Sequence, residues 1–269
     1  MNETRLVLGM EYDGSGYSGW QSQTHRRSVQ SALECALSKV ADHAVTVICA
    51  GRTDAGVHAL EQIVHFDTRA ERSFDAWLRG GNSHLPDDVR ITWVKHAAYD
   101  FHARYSAIAR FYRYIIFNRP VKSALLHKQA SWCYHPLDAE KMHQAAQYLI
   151  GHHDFSSFRA HGCQSKSPMR AMYFIDVYRE RDQVIIDISA NAFLHHMVRN
   201  IAGVLMDIGT GKQSVDWMQT LLDIKDRTRG GMTAPPEGLY LGAVYYPEHY
   251  GIAKHVVFDK LPADAKRFD

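Results

Sequence analysis

The chain has 269 residues, 46% of them hydrophobic, and a formal net charge of +2. That is enough apolar content for one large core or two modest domains, and the near-neutral balance means that a polyanionic partner is permitted only through a local basic patch. No apolar run approaches the ~18 residues of a membrane span, Met1–Arg5 lacks the basic and apolar regions of a signal peptide, and the four cysteines form no Cys-x-x-Cys, so a cytoplasmic protein with reduced thiols is expected.

Leu6–Tyr12 reads as a first strand, followed by a glycine-rich loop from Asp13 to Trp20. Ser28 is a plausible N-cap, and Val29, Leu33, Ala36, Leu37 and Val40 recur at helical spacing behind it. The run Val45–Ala50 is β-branched and apolar, and Gln62–Phe66 alternates, so two strands flank Gly51-Arg52-Thr53-Asp54-Ala55-Gly56-Val57-His58. An aspartate in that loop has two readings. It is an Asx-turn that only bonds its own backbone, or it is a fixed carboxylate kept ionised by Arg52 and fit to act as nucleophile or base. Phe74–Leu78 opens a second helix and Val89–Val94 a further strand.

The second half repeats the element order. Phe111–Phe117 is a strand, Met142, Ala145, Ala146 and Leu149 line a helix that stops at Gly151, and strands follow at Tyr173–Tyr178 and Val184–Ile188. Phe193–Ile208 reads as a long apolar helix and Leu239–Tyr245 as the last strand. Two β-α-β-β-α-β units predict an α+β protein with two ferredoxin-like halves. The expected boundaries are 1–105 for the first, which carries the Asp54 loop, 106–247 for the second, and a polar tail over 248–269.

Several motifs fail on context. Gly14-Ser15-Gly16-Tyr17-Ser18-Gly19 is a literal G-x-G-x-x-G, but the helix starts about nine residues too late for a dinucleotide site. Gly209-Thr210-Gly211-Lys212 lacks the P-loop's spacing and its Ser or Thr after the lysine. His195-His196 is no metal pair, since adjacent helical residues face apart, and His152-His153-Asp154 reads as a solvated helix end. Arg199 shares a helical stripe with His195 and His196. It either seeks a carboxylate, with Asp54 as candidate, or reaches solvent along the helix edge. Basic and aromatic residues interleave in Phe101-His102-Ala103-Arg104-Tyr105 and Arg110-Phe111-Tyr112-Arg113-Tyr114, as in surfaces that grip phosphates and stack unpaired bases.

Taken in order, these blocks resemble the tRNA pseudouridine synthases of the TruA family. The resemblance rests on Asp13-Gly14-Ser15 with Tyr17, Gly19, Trp20 and Gln21; Gly51–His58; Asn82 with Leu85-Pro86; Phe101–Arg104; Tyr112–Tyr114; Asp154–Phe158; His195–Asn200; and Thr233–Pro235 with Gly238–Leu241. It covers about residues 5–247, and departs from the family pattern at Glu61 and Gly81. It implies the pseudouridine synthase fold, with the two halves forming a central, mainly antiparallel sheet. It further implies a homodimer that isomerises uridine to pseudouridine at positions 38, 39 and 40 of the tRNA anticodon arm, without cofactor or metal. Asp54 would be the essential carboxylate, with Arg52, Tyr112 and Arg199 as catalytic companions. Phe101, His102, Arg104, Gln164, Ser165, Lys166 and Leu239 would contact the substrate, with Tyr112 stacking beneath the uracil. A noncatalytic RNA-binding protein and a nucleotide-dependent oxidoreductase are the rival readings.

Overall fold

The computed structural model describes residues 3–252. The chain divides into two units, one built from residues 3–108 with 241–252 and the other from 109–240. The first unit runs β1 (Thr4–Tyr12), α1 (Val29–Ala41), β2 (Ile48–Cys49), β3 (His58–Thr68), α2 (Phe74–His84) and β4 (Val89–His96), the expected β-α-β-β-α-β order. Strand β1 pairs antiparallel with β3 on one side and β4 on the other. A late strand, β10 (Leu239–Tyr245), returns its last residues to this unit beside β3.

Local chemistry accounts for the element ends. Ser28 is extended and its side chain accepts the Ser31 N–H, so α1 starts at Val29 and buries Val29, Leu33, Ala36 and Leu37. Ser73 caps α2 in the same way through the Ala76 N–H. Only Ile48 and Cys49 of the Val45–Ala50 run form a strand. Side chains of α1 explain the shortfall: Ser38 Oγ takes the Val45 N–H at 2.9 Å and Glu34 Oε1 takes that of Val47 at 3.1 Å. Strand β3 does not show the half-exposed alternation expected of Gln62–Phe66, because it is buried on both faces and Gln62 and His65 hold internal partners. Gly81 also has a packing reason. A Cβ there would lie 2.6 Å from Ile91 Cδ1, while the adjacent Asn82 side chain bonds both backbone groups of Ile91 at 2.9 Å.

The second unit contains β5 (Ala109–Asn118), β6 (Ser131–Cys133), α3 (Ala139–Ala146), β7 (Gly151–Asp154), β8 (Met169–Glu180), β9 (Gln183–Ala190), α4 (Met197–Gly209) and α5 (Trp217–Ile224). Antiparallel pairing links β5 to β9, β9 to β8 and β8 to β7, while β6 runs parallel to β5. The first five expected elements, β-α-β-β-α, are present, with β6, β7 and α5 as additions, while the expected closing strand β10 belongs from Leu241 onward to the first unit. Two expectations are corrected. His152, His153 and Asp154 lie in β7, paired with Ala171, Arg170 and Met169, rather than at a helix end. Helix α4 begins at Met197, not Phe193, because His196 is left-handed at φ 60° and cannot continue a right-handed helix. His195 and His196 therefore precede the helix that carries Arg199.

The 248–269 tail is described only as far as residue 252, including a 3₁₀ turn at Glu248–Tyr250, and the rest lies outside the described residues. Among the described residues no helix is long and apolar enough to cross a membrane.

Candidate active site

The Asp54 loop sits on the glycine-rich loop that follows β1. Trp20 N–H donates to Thr53 O at 3.0 Å, Gly56 N–H to Tyr17 O at 3.3 Å, and Gly14 N–H to His58 Nδ1 at 3.1 Å. The two backbones touch so closely that a Cβ on Gly14 would fall 1.9 Å from Val57 O, and one on Gly19, at φ 98°, 2.7 Å from Thr53 O. This contact explains the glycines of the apparent dinucleotide motif: they seat a second loop rather than a pyrophosphate. The buried Tyr12 hydroxyl bonds Thr53 Oγ1 at 2.8 Å, and Gln62 bonds the backbone of Gly51. A tight turn closes the loop, with Val57 N–H on Asp54 O at 3.2 Å and Gly56 at φ 78°. Asp54 is thus half-buried on a loop fixed at both shoulders, beside an exposed Arg52.

The second group of expected residues in this unit gathers nearby. The thiol of Cys49 is pushed up to about 12 by burial, against the opposing charges of Arg52 and Arg104, and Ile48 beside it pairs with His65 of β3. Phe101 is fully buried against Tyr246 and Tyr250. His102 is half-buried, and its Nδ1 accepts the N–H groups of Arg104 and Tyr105 at 3.2 Å each. The buried His65 supports the same turn by accepting the Ala103 N–H at 3.1 Å. Burial, with a further push from Arg5 and His102, lowers its pKa to about 4 and keeps it neutral.

In the second unit, Tyr112 is buried on β5, edge-on to Phe193 with ring centroids 5.0 Å apart. Tyr112 shares its strand face with Arg110 and Tyr114, both also buried. Arg110 donates to Asn191 O at 2.8 Å, and Arg113 on the opposite face makes a two-pronged pair with Asp187 at 2.7 and 2.8 Å. These arginines hold the sheet together, which corrects the reading of this strand as a phosphate-gripping surface. Arg199 Nε donates to Ala234 O at 2.8 Å. Leu239 is buried at the start of β10. Gln164 and Lys166 are exposed in a loop that Arg159 holds through the carbonyls of Cys163 and Ser165, both at 2.7 Å, and Ser165 Oγ receives Arg170 at 2.7 Å.

A model of the tRNA pseudouridine synthase family matches residues 10–106 and 145–247. The chain belongs to that family. The tRNA pseudouridine synthase A of Methylococcus capsulatus is 59% identical over 264 residues, covering 98% of this chain and 97% of the relative. That of Coxiella burnetii is 56% identical, covering 93% and 96%, and that of Hydrogenovibrio crunogenus 53% identical, covering 96% and 98%. As a pseudouridine synthase the chain is an RNA-modifying isomerase on a mixed α+β scaffold. Both segments of the family match carry expected site residues, Asp54 and Arg104 in one and Arg199 and Leu239 in the other. Sequence reasoning missed Tyr12, Gln62 and His65 as supports of the synthase's loops. The available signal was polar side chains in strands otherwise rich in apolar residues.

Proposed function

We propose that this synthase isomerises uridine to pseudouridine at positions 38, 39 and 40 in the anticodon arm of tRNA, with Asp54 as the essential carboxylate. The observation that carries the reading is the double seating of the Asp54 loop. The loop's Thr53 and Gly56 bond the glycine-rich loop, and its Gly51 is bonded by Gln62. A half-buried carboxylate held this way meets a reacting nucleotide without first being ordered, which is what positioning contributes to a rate. The reaction breaks the N1–C1′ bond, turns the base, joins C5 to C1′, releases the C5 proton and returns one proton to N1, so atoms and electrons balance without a redox partner. The target nucleotide leaves the helical stack to reach the carboxylate, as in other enzymes that act on a base.

Arg52, Tyr112 and Arg199 are the proposed catalytic companions. Segments 101–104 and 164–166, with Leu239, are the proposed tRNA contacts. The working enzyme is proposed to be a cytoplasmic homodimer, which light scattering at micromolar concentration tests. Asp54→Asn, assayed by tritium release from tRNA labelled at uridine C5, should lose turnover while still binding tRNA. Turnover near that of the unaltered enzyme would overturn the assignment. If Tyr112 serves proton transfer as well as stacking, Tyr112→Phe should lower turnover without weakening tRNA binding.

A further inference from the structure

We infer that Tyr105 is a stacking platform for an unpaired nucleobase of the RNA substrate, presented at the outer end of a column of three rings. The column starts at His65, 2% exposed in β3. His102 meets it at a tilt, with ring centroids 4.9 Å apart and planes at 59°, and Tyr105 lies more nearly flat on His102 at 4.3 Å and 33° between planes. Tyr105 is 76% exposed, so the column ends at solvent on an aromatic surface that a planar base extends by one more ring. The Arg104 guanidinium stands over the Tyr105 ring, 5.6 Å from its centroid, so a cation accompanies the platform. Aromatic rings with arginine at hand are how proteins hold single-stranded bases, since every base offers a π-face.

An isolated exposed aromatic needs no explanation. Tyr105 differs in how firmly its turn is held. His102 Nδ1 takes its own N–H at 3.2 Å, Tyr246 donates to Ala103 O at 2.6 Å, Arg5 to Phe101 O at 2.9 Å, and Ser106 exchanges two bonds with His102 at 2.9 Å each. A platform ordered beforehand binds with little further loss of freedom. Its place also fits the substrate, because His65, which holds the turn through the Ala103 N–H, lies opposite Ile48 in the short strand just before the Asp54 loop. The inference rests on the tRNA reading and adds a base contact outside the residues that the family resemblance implies.

The test is the affinity of the full-length enzyme for an unmodified tRNA transcript, measured by fluorescence anisotropy at several salt concentrations. Tyr105→Ala should weaken binding roughly 5- to 150-fold, the range of one lost base stack. Because no charge is removed, the slope of log K against log salt should stay unchanged, whereas Arg104→Ala should flatten it by about one. Tyr105→Phe should restore affinity, and thermal melting should show that Tyr105→Ala folds as the parent does. Unaltered tRNA affinity in Tyr105→Ala, or failure of phenylalanine to rescue, overturns the platform while leaving the function standing. Failure of the parent enzyme to bind tRNA overturns both.

Discussion

The Gln62 carboxamide holds Gly51 from two sides, donating to its carbonyl at 2.7 Å and accepting its N–H at 3.4 Å. The same Nε2 lies 3.5 Å from the Tyr12 hydroxyl, which reaches Thr53 Oγ1 at 2.8 Å. Two adjacent strands thereby fix the residues before Asp54, since Gln62 lies opposite Met10 in the β1–β3 register. Gln62 is fully buried, so the network has no water to replace it.

Gln62→Leu should therefore damage turnover more than folding. It strands two backbone groups of Gly51 and a partner of Tyr12, at a cost of about 1–3 kcal/mol. The expected result is a lowered melting temperature together with a fall in kcat that exceeds the change in KM, read by tritium release. An unchanged kcat would show that Asp54 does not depend on this brace.

Gly19→Ala tests the seat from the opposite loop. The added Cβ would stand 2.7 Å from Thr53 O and 3.1 Å from Ala55 N, in a backbone conformation that disfavours any side chain. Backbone cannot swing aside as a flexible side chain can, so the Asp54 loop must shift. A loss of 10-fold or more in kcat/KM is expected for a displacement near 1 Å, with melting less affected than in Gln62→Leu. Crystallography of the variant should find the shift at residues 53–55.

The sequence carried the element order because its periodicities are long and its caps are local. Ser28, Ser73 and the Val29–Leu37 stripe each need only neighbours within a few residues. What it did not carry depends on partners far along the chain. The G-x-G-x-x-G spacing looked like a failed cofactor loop because its partner, Thr53–Val57, is some forty residues away. Arg110 and Arg113 looked like RNA contacts until Asn191 and Asp187 supplied their partners. His196 extended the helical pattern of α4 by composition, and only its backbone angle shows that the helix has not begun. Strands β6 and β7, of three and four residues, are too short for any period to register.

The Arg113–Asp187 pair predicts a stability effect distinct from catalysis. Asp187 is 2% exposed and receives both guanidinium prongs as well as the Tyr178 hydroxyl at 3.1 Å. Arg113→Met leaves that buried carboxylate without its cation and should cost about 3–5 kcal/mol. Replacing both members, Arg113→Met with Asp187→Leu, should recover much of the loss, because the desolvation penalty goes with the charges. Urea melts of the two variants make the comparison, and equal destabilisation of both would show that shape rather than charge is at stake.

His65 gives the fold a defined acid limit. Its pKa falls from 6.5 to about 4 in the folded state, through burial first and then the charges of Arg5 and His102. A folded value below the unfolded one means that the fold favours the neutral ring. This contribution is full above about pH 6.5 and drains away as the pH falls towards 4, where the folded form also binds the proton. Discounted for residual screening, it is on the order of 2 kcal/mol. Denaturant melts between pH 4 and 8 should show stability rising with pH across that window, and His65→Gln should flatten the rise by the same amount. Because the Ala103 N–H bonds His65 Nδ1 in the neutral form, the turn carrying Arg104 and Tyr105 should hold across that window, and tRNA binding should weaken through it only as the pH falls through about 4, where the folded protein itself takes up the proton. A stability profile with no slope between pH 4 and 6.5 would mean that His65 is not the buried neutral support described for that turn.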